Sequence, residues 1–118
     1  LANRSGATVF VSLHANALSM ARPDVNGVET FYFEGSGQSS RLASALQARM
    51  MAISTGSPNR GVKPGRFFVI RRAVMPAALV EMGFVTGEID APRLANANFR
   101  RSMALAIAAG ILDSLGGR

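Results

Sequence analysis

The stretch TVFVSLHANA at 8–17 holds the only histidine of the chain, His14. An imidazole at that point has three uses open to it: metal ligand, general base, or hydrogen-bonded side chain at a strand end. Its neighbours bear on the choice. Ser12, His14 and Asn16 stand at alternate positions, so an extended backbone turns the three polar groups to one face, opposite Val11 and Leu13. The second residue with chemical potential is Glu81, the one charge in AALVEMGF at 77–84. A carboxylate in an apolar strand is costly unless paired or neutral. Burial also raises its pKa toward the working range of a general base. A structural ion pair with one of the arginines accounts for Glu81 equally well. Gly83 beside it admits close approach by backbone or ligand.

Other charges are less pointed. Glu29, in GVETFYF, reads as a structural carboxylate. Arg60 and Lys63, in NRGVKPG, are either holders of an anionic group or ordinary loop charges. Asp90 reads as a helix cap and Asp113 as a solvated helix position. One histidine and one buried glutamate suggest a hydrolase in which zinc activates water and a carboxylate takes its proton. A catalytic zinc takes three protein ligands. These residues offer one clear ligand, with no second histidine and no HExxH.

The elements that must position His14 and Glu81 follow from periodicity. Residues 1–6 read as a helix tail closed by Gly6. Thr8–Leu13 alternates and reads as a strand, followed by a turn rich in Pro, Asp, Asn and Gly. VETFYF at 28–33 is a second strand. Ser39 or Ser40 is placed to cap a helix whose Leu42, Leu46, Met50 and Ile53 form one stripe, ended at Gly56 and Pro58. NRGVKPG at 59–65 reads as a basic loop and RFFVI at 66–70 as a short strand. AALVEMGF fits a buried strand. A short helix starts near Asp90 and Pro92. A final helix over 98–115 repeats Phe99, Met103, Ile107, Ile111 and Leu115 before Gly116-Gly117. Strands alternating with helices argue for an α/β layered domain.

Composition bounds the rest. At 118 residues, 48% of them apolar, the chain suffices for one modest globular domain. The absence of cysteine excludes disulfides, zinc ribbons and thiol nucleophiles. No apolar run approaches the roughly 18 residues of a membrane span. The sequence opens at Leu1 and reads as the interior of a longer gene. The net charge of +6 favours an anionic partner, nucleic acid or an anionic cell-surface polymer. The charges are scattered and only one tyrosine and no tryptophan are present for base stacking, so no nucleic-acid partner is expected.

Together, FVSLHANA, GVETFYF, NRGVK and MPAALVEMGF, in this order, resemble the zinc-dependent N-acetylmuramoyl-L-alanine amidases of the amidase 3 type. FRRSMALAIAAGI is similar to that family's last helix, and the match spans essentially the whole chain. The resemblance implies a three-layer α/β fold, phosphorylase/hydrolase-like, with a mixed, mostly parallel twisted sheet flanked by helices. Residues 1–118 would be a single, partial catalytic domain, its C-terminal two-thirds. The implied activity is cleavage of the amide between N-acetylmuramic acid and the L-alanine of the stem peptide in peptidoglycan. The implied cofactor is one zinc ion, with His14 as its last ligand, Glu81 as catalytic base and Asn16 lining the substrate pocket. The family's first zinc histidine, in a GHGG-like turn, and its zinc glutamate are expected upstream of Leu1. The segment alone is therefore expected to be inactive, to hold zinc weakly and to expose an apolar sheet edge. Gly87 stands where the family often has Asn. An exported location, periplasm or cell wall, follows from the substrate. The alternative is a non-catalytic peptidoglycan-binding module descended from an amidase.

Overall fold

The computed structural model describes residues 2–116. A 3-10 turn, Ala2–Arg4, precedes strand β1 (Phe10–Asn16), and β2 (Val28–Tyr32) leads into helix α1 (Gly37–Ile53). Then come β3 (Asn59–Pro64), the short helix α2 (Phe68–Arg71), β4 (Ala77–Phe84), α3 (Asp90–Leu94) and α4 (Ala97–Gly116). The sheet order is β1-β4-β2-β3. β1 is parallel to β4 and β2 to β3, whereas β2 and β4 are antiparallel. The sheet is thus mixed and mostly parallel, as expected.

Strand alternation sorts the apolar residues to two faces. Val28, Ala78 and Val80 pack under Leu42, Leu46 and Met50 of α1 and Met103 and Ile107 of α4. Each of the larger side chains, the valines, leucines, methionines and Ile107, contributes roughly 1.5–3 kcal/mol on burial. The helices meet closely because α4 carries Gly110, where a Cβ would lie 3.0 Å from the Leu46 Cα. On the opposite face, Phe10, Phe31, Ala77 and Leu79 meet Ile70 of α2. Helices therefore cover parts of both faces, giving the three layers. Among the described residues, no helix is long and apolar enough to cross a membrane.

Several local expectations are corrected. The α1 cap is Ser36, whose hydroxyl accepts from the Ser39 N–H; neither Ser39 nor Ser40 caps it. Residues 59–64 are a strand, not a loop. As an edge strand β3 tolerates charge and a terminal proline, and only Gly61 and Val62 are half-buried, so no alternating apolar pattern marks it. RFFVI is not a strand. After Gly65 donates to the Tyr32 carbonyl, closing the β2–β3 ladder, the chain turns into α2. One helical turn buries Ile70 on the sheet and leaves Phe68 and Val69 exposed. Residues 2–4 form a 3-10 turn in place of a helix tail, while Gly6 does take the left-handed φ of 74°; Leu1 and the stop residue Gly117 lie outside the described residues. β1 starts at Phe10 and continues through His14 to Asn16. Leu13 does not join the core and stays exposed on this edge strand.

Candidate functional site

The sheet register brings distant residues into one row. His14 on β1 pairs with Glu81 on β4, and Glu81 pairs in turn with Glu29 on β2. Spacings of 67 and 52 residues in sequence thus become adjacent positions across three strands. Parity puts their side chains on the face that carries Phe10, Leu79 and Phe31, opposite α1 and α4.

His14 is exposed, and its Nε2 lies 2.7 Å from the Ser12 Oγ. The alternation of Ser12 and His14 therefore produces a real contact. Asn16 bonds to neither. A bulge between His14 and Asn16 shifts the register so that Asn16 pairs with Phe84. Its Oδ1 accepts from the Ala17 N–H, and its carbonyl accepts from the Val85 N–H, fixing the mouth of the strand.

Glu81 is half-buried, with Oε1 fully enclosed and without a hydrogen-bond partner. No arginine or lysine pairs with it among the described residues. Burial pushes its carboxyl above the ordinary range; the imidazole of His14 pulls the other way, and the Glu29 carboxylate adds to the upward push. The structural ion pair considered for Glu81 belongs instead to Glu29. That carboxylate is buried, with Lys63 Nζ at 2.7 Å and Arg60 Nε at 3.7 Å. Two like charges opposite each other on neighbouring strands repel, and the two cations offset that repulsion. Arg60 also lies over the Phe84 ring, 5.2 Å from its centroid. Arg60 and Lys63 are thus strand residues engaged with Glu29, a partnership hidden while 59–65 reads as a loop.

Replacing Lys63 with Met leaves the Glu29 carboxylate short of its nearest cation. The expected loss is about 1–3 kcal/mol of stability, read from urea unfolding. Glu29→Gln in the same background should recover most of it. An unchanged midpoint for Lys63→Met would show that the pair contributes nothing.

Asp90 does not cap α3 with its side chain. It is buried, and its carboxylate ties three segments together. Oδ2 accepts from the N–H groups of Gly27 and Phe84, each at 2.8 Å, and Oδ1 accepts from the Ser57 hydroxyl at 2.6 Å. Gly83 makes this possible. Its φ is 144°, and a Cβ there would meet the Asp90 Cγ at 3.0 Å. The close approach expected at Gly83 is that of Asp90. Gly27 lies two residues before Glu29 and Phe84 three after Glu81, so the carboxylate anchors both strands that bear the row. Asp113, read as solvated, is exposed but holds Arg49 through two hydrogen bonds of 2.7 and 3.0 Å, which keep its carboxyl below the ordinary range.

The chemistry available is an exposed imidazole beside a half-buried carboxylate with one unsatisfied oxygen. That is the donor set for one corner of a metal site next to a proton acceptor. Among the described residues, no group of three or more His, Cys, Asp or Glu side chains could hold a metal by itself. A wider concavity of about 620 Å³, lined by Phe10, Phe68, Val69 and Arg72, opens toward the start of β1 and contains none of these groups.

Comparison with known proteins gives a consistent result. A family model described as N-acetylmuramoyl-L-alanine amidase, amidase 3, matches residues 1–113. N-acetylmuramoyl-L-alanine amidase LytC of Bacillus subtilis (strain 168) is 40% identical over 109 residues, which cover 91% of this chain and 21% of that protein. The solved structure of N-acetylmuramoyl-L-alanine amidase AmiC2 of Nostoc punctiforme superposes with a TM-score of 0.89 at 43% identity, covering 98% of this chain and 62% of that one. A second amidase structure, from Clostridium difficile 630, superposes with a TM-score of 0.90 at 31% identity, covering 99% and 62%. The chain thus spans about three-fifths of those two structures and about a fifth of LytC.

Proposed function

The chain belongs to the N-acetylmuramoyl-L-alanine amidase family of the amidase 3 type, and from that membership we propose that it forms part of a zinc-dependent peptidoglycan amidase. The bond cleaved is the amide between the lactyl group of N-acetylmuramic acid and the L-alanine of the stem peptide. The observation that carries the reading is the adjacency of His14 and Glu81 across β1 and β4, with Glu81 Oε1 buried and unpartnered. An enclosed carboxylate oxygen with no protein donor is suited to accept a proton from a water held beside it.

In this reading His14 is one protein ligand of the zinc, and two further ligands come from elsewhere in the protein that carries this chain. A bound zinc supplies Lewis acidity, lowering the pKa of water and polarising the scissile carbonyl. Glu81 takes the proton of the attacking water at its carboxylate. It then returns a proton to the amide nitrogen as the C–N bond breaks, leaving the lactyl carboxylate and a free L-alanine amine. The raised proton affinity of Glu81 suits both halves of that transfer. Asn16, at the end of β1, lines the rim where the stem peptide enters. Glu29, with its two cations, holds the neighbouring strand and does not touch the reacting atoms. Because the polymer lies outside the cytoplasmic membrane, the working location is the periplasm or cell wall.

The test is zinc binding. His14→Ala should weaken zinc affinity in the protein carrying this chain by more than about 100-fold, since losing even an outer-shell partner of a ligand costs 10- to 100-fold. Zinc content after dialysis measures it. Retention of wild-type zinc affinity would remove His14 from the metal site.

A further inference from the structure

The Ser12–His14 contact carries a consequence for which nitrogen of the imidazole is free. A neutral imidazole has one N–H donor and one bare acceptor nitrogen, and only the bare nitrogen binds a metal. Nε2 is taken up by the Ser12 hydroxyl at 2.7 Å. Among the described residues the hydrogen bond of the ring is the one at Nε2, with none at Nδ1, and Glu81 Oε1, on the neighbouring strand, is unpartnered. A serine hydroxyl both donates and accepts, so two arrangements fit the distance. If Ser12 donates to Nε2, the ring proton sits on Nδ1 and both nitrogens are closed to a metal. If Ser12 accepts from Nε2–H, Nδ1 is bare and open.

We infer that Ser12 is a positioning residue: its Oγ accepts the Nε2–H of His14, holds the ring back along β1, and leaves Nδ1 as the nitrogen that would be open to a metal. The inference deepens the proposed zinc site and rests on that reading for its functional meaning. Its structural content, the tautomer of His14, stands or falls without metal. Metal-ligating histidines characteristically donate their second N–H to an acceptor, which fixes the tautomer and orients the ring. Here the acceptor is supplied two residues earlier on the same strand, where alternation puts it on the same face.

Nitrogen-15 labelling of histidine, with the His14 ring signals assigned by their loss in His14→Ala, reads the two ring nitrogens in the protein that carries this chain. In the metal-free protein, with the ring in its neutral form, Nε2 should carry the proton and Nδ1 should be bare. Ser12→Ala should bring the two nitrogen shifts toward each other, and Ser12→Thr, which keeps the hydroxyl, should restore the wild-type pattern. Zinc should then move the Nδ1 signal, with affinity about tenfold or more weaker in Ser12→Ala. A proton on Nδ1 in the wild type would overturn the inference, as would identical tautomer and zinc affinity in Ser12→Ala. If Ser12→Ala does not fold, the wild-type tautomer and the Thr variant still decide. A wild-type Nε2–H ring whose Nδ1 ignores zinc counts against the zinc reading and leaves the tautomer assignment standing.

Discussion

Glu81→Gln is expected to abolish amide hydrolysis and, in the metal-free protein, to raise stability. The first effect follows from its proposed role: glutamine cannot accept the water proton, and general-base catalysis contributes about 100- to 10,000-fold. Zinc content should be unchanged, because Glu81 is not assigned as a ligand. The second effect follows from burial. The folded state raises the proton affinity of Glu81, so the folded chain binds more protons than the unfolded chain as pH rises above about 4.5. Over that window the contribution of this group to stability falls as pH increases, and at neutral pH the ionised carboxylate is a net cost. Glutamine removes that cost. Melting curves should show the variant more stable at pH 7, with the difference vanishing toward pH 4. A lower melting temperature at pH 7 would mean that the carboxylate is better satisfied than its unpartnered Oε1 indicates.

Asp90→Ala should be the most destabilising single change. It strands the N–H groups of Gly27 and Phe84 and the hydroxyl of Ser57 without an acceptor, all at a buried point. A buried polar group left unsatisfied costs roughly 1–3 kcal/mol, so a loss of about 3–5 kcal/mol is expected, a large part of the 5–15 kcal/mol that holds a typical domain together. Asp90→Asn separates acceptor geometry from charge. Its one amide oxygen can accept both N–H groups while its NH2 donates to Ser57, so about 1–2 kcal/mol should be lost. Urea unfolding of the two variants measures the contrast. Equal losses would show that the negative charge of the carboxylate, rather than the shared acceptor geometry, holds the site.

How far the sequence speaks for this arrangement depends on how local the signal is. The α1 stripe of Leu42, Leu46 and Met50 and the α4 repeat of Met103 and Ile107 are periodic and land in the core. AALVEMGF is apolar enough to mark β4. β3 is not legible, because an edge strand with one half-buried apolar side chain, Val62, carries no alternating pattern. The same weakness hides the Glu29–Lys63 pair, which exists only once 59–64 lies beside β2. Asp90 looks like a cap because it stands at the start of a short helix, yet its partners lie 63, 33 and 6 residues away, and no local pattern reports them. RFFVI misleads in the other direction. Its apolar run suits a strand, but only Ile70 is buried, while Phe67 packs edge-on against the Phe31 ring. At the site, the alternation of Ser12 and His14 is visible in the sequence, and their hydrogen bond follows from it. The row of His14, Glu81 and Glu29 is a property of sheet register, which comes from strand order and not from spacing.

The roles proposed for His14 and Glu81 lead to one reaction, hydrolysis of a particular amide in peptidoglycan. The chemical ends made when the zinc-loaded protein carrying this chain digests purified cell walls identify that reaction. Digestion should yield new amino-terminal L-alanine in step with release of material, no new reducing sugar ends, and loss of both release and new termini on zinc removal or in Glu81→Gln. New reducing ends without free L-alanine, or full release by Glu81→Gln, would contradict those roles.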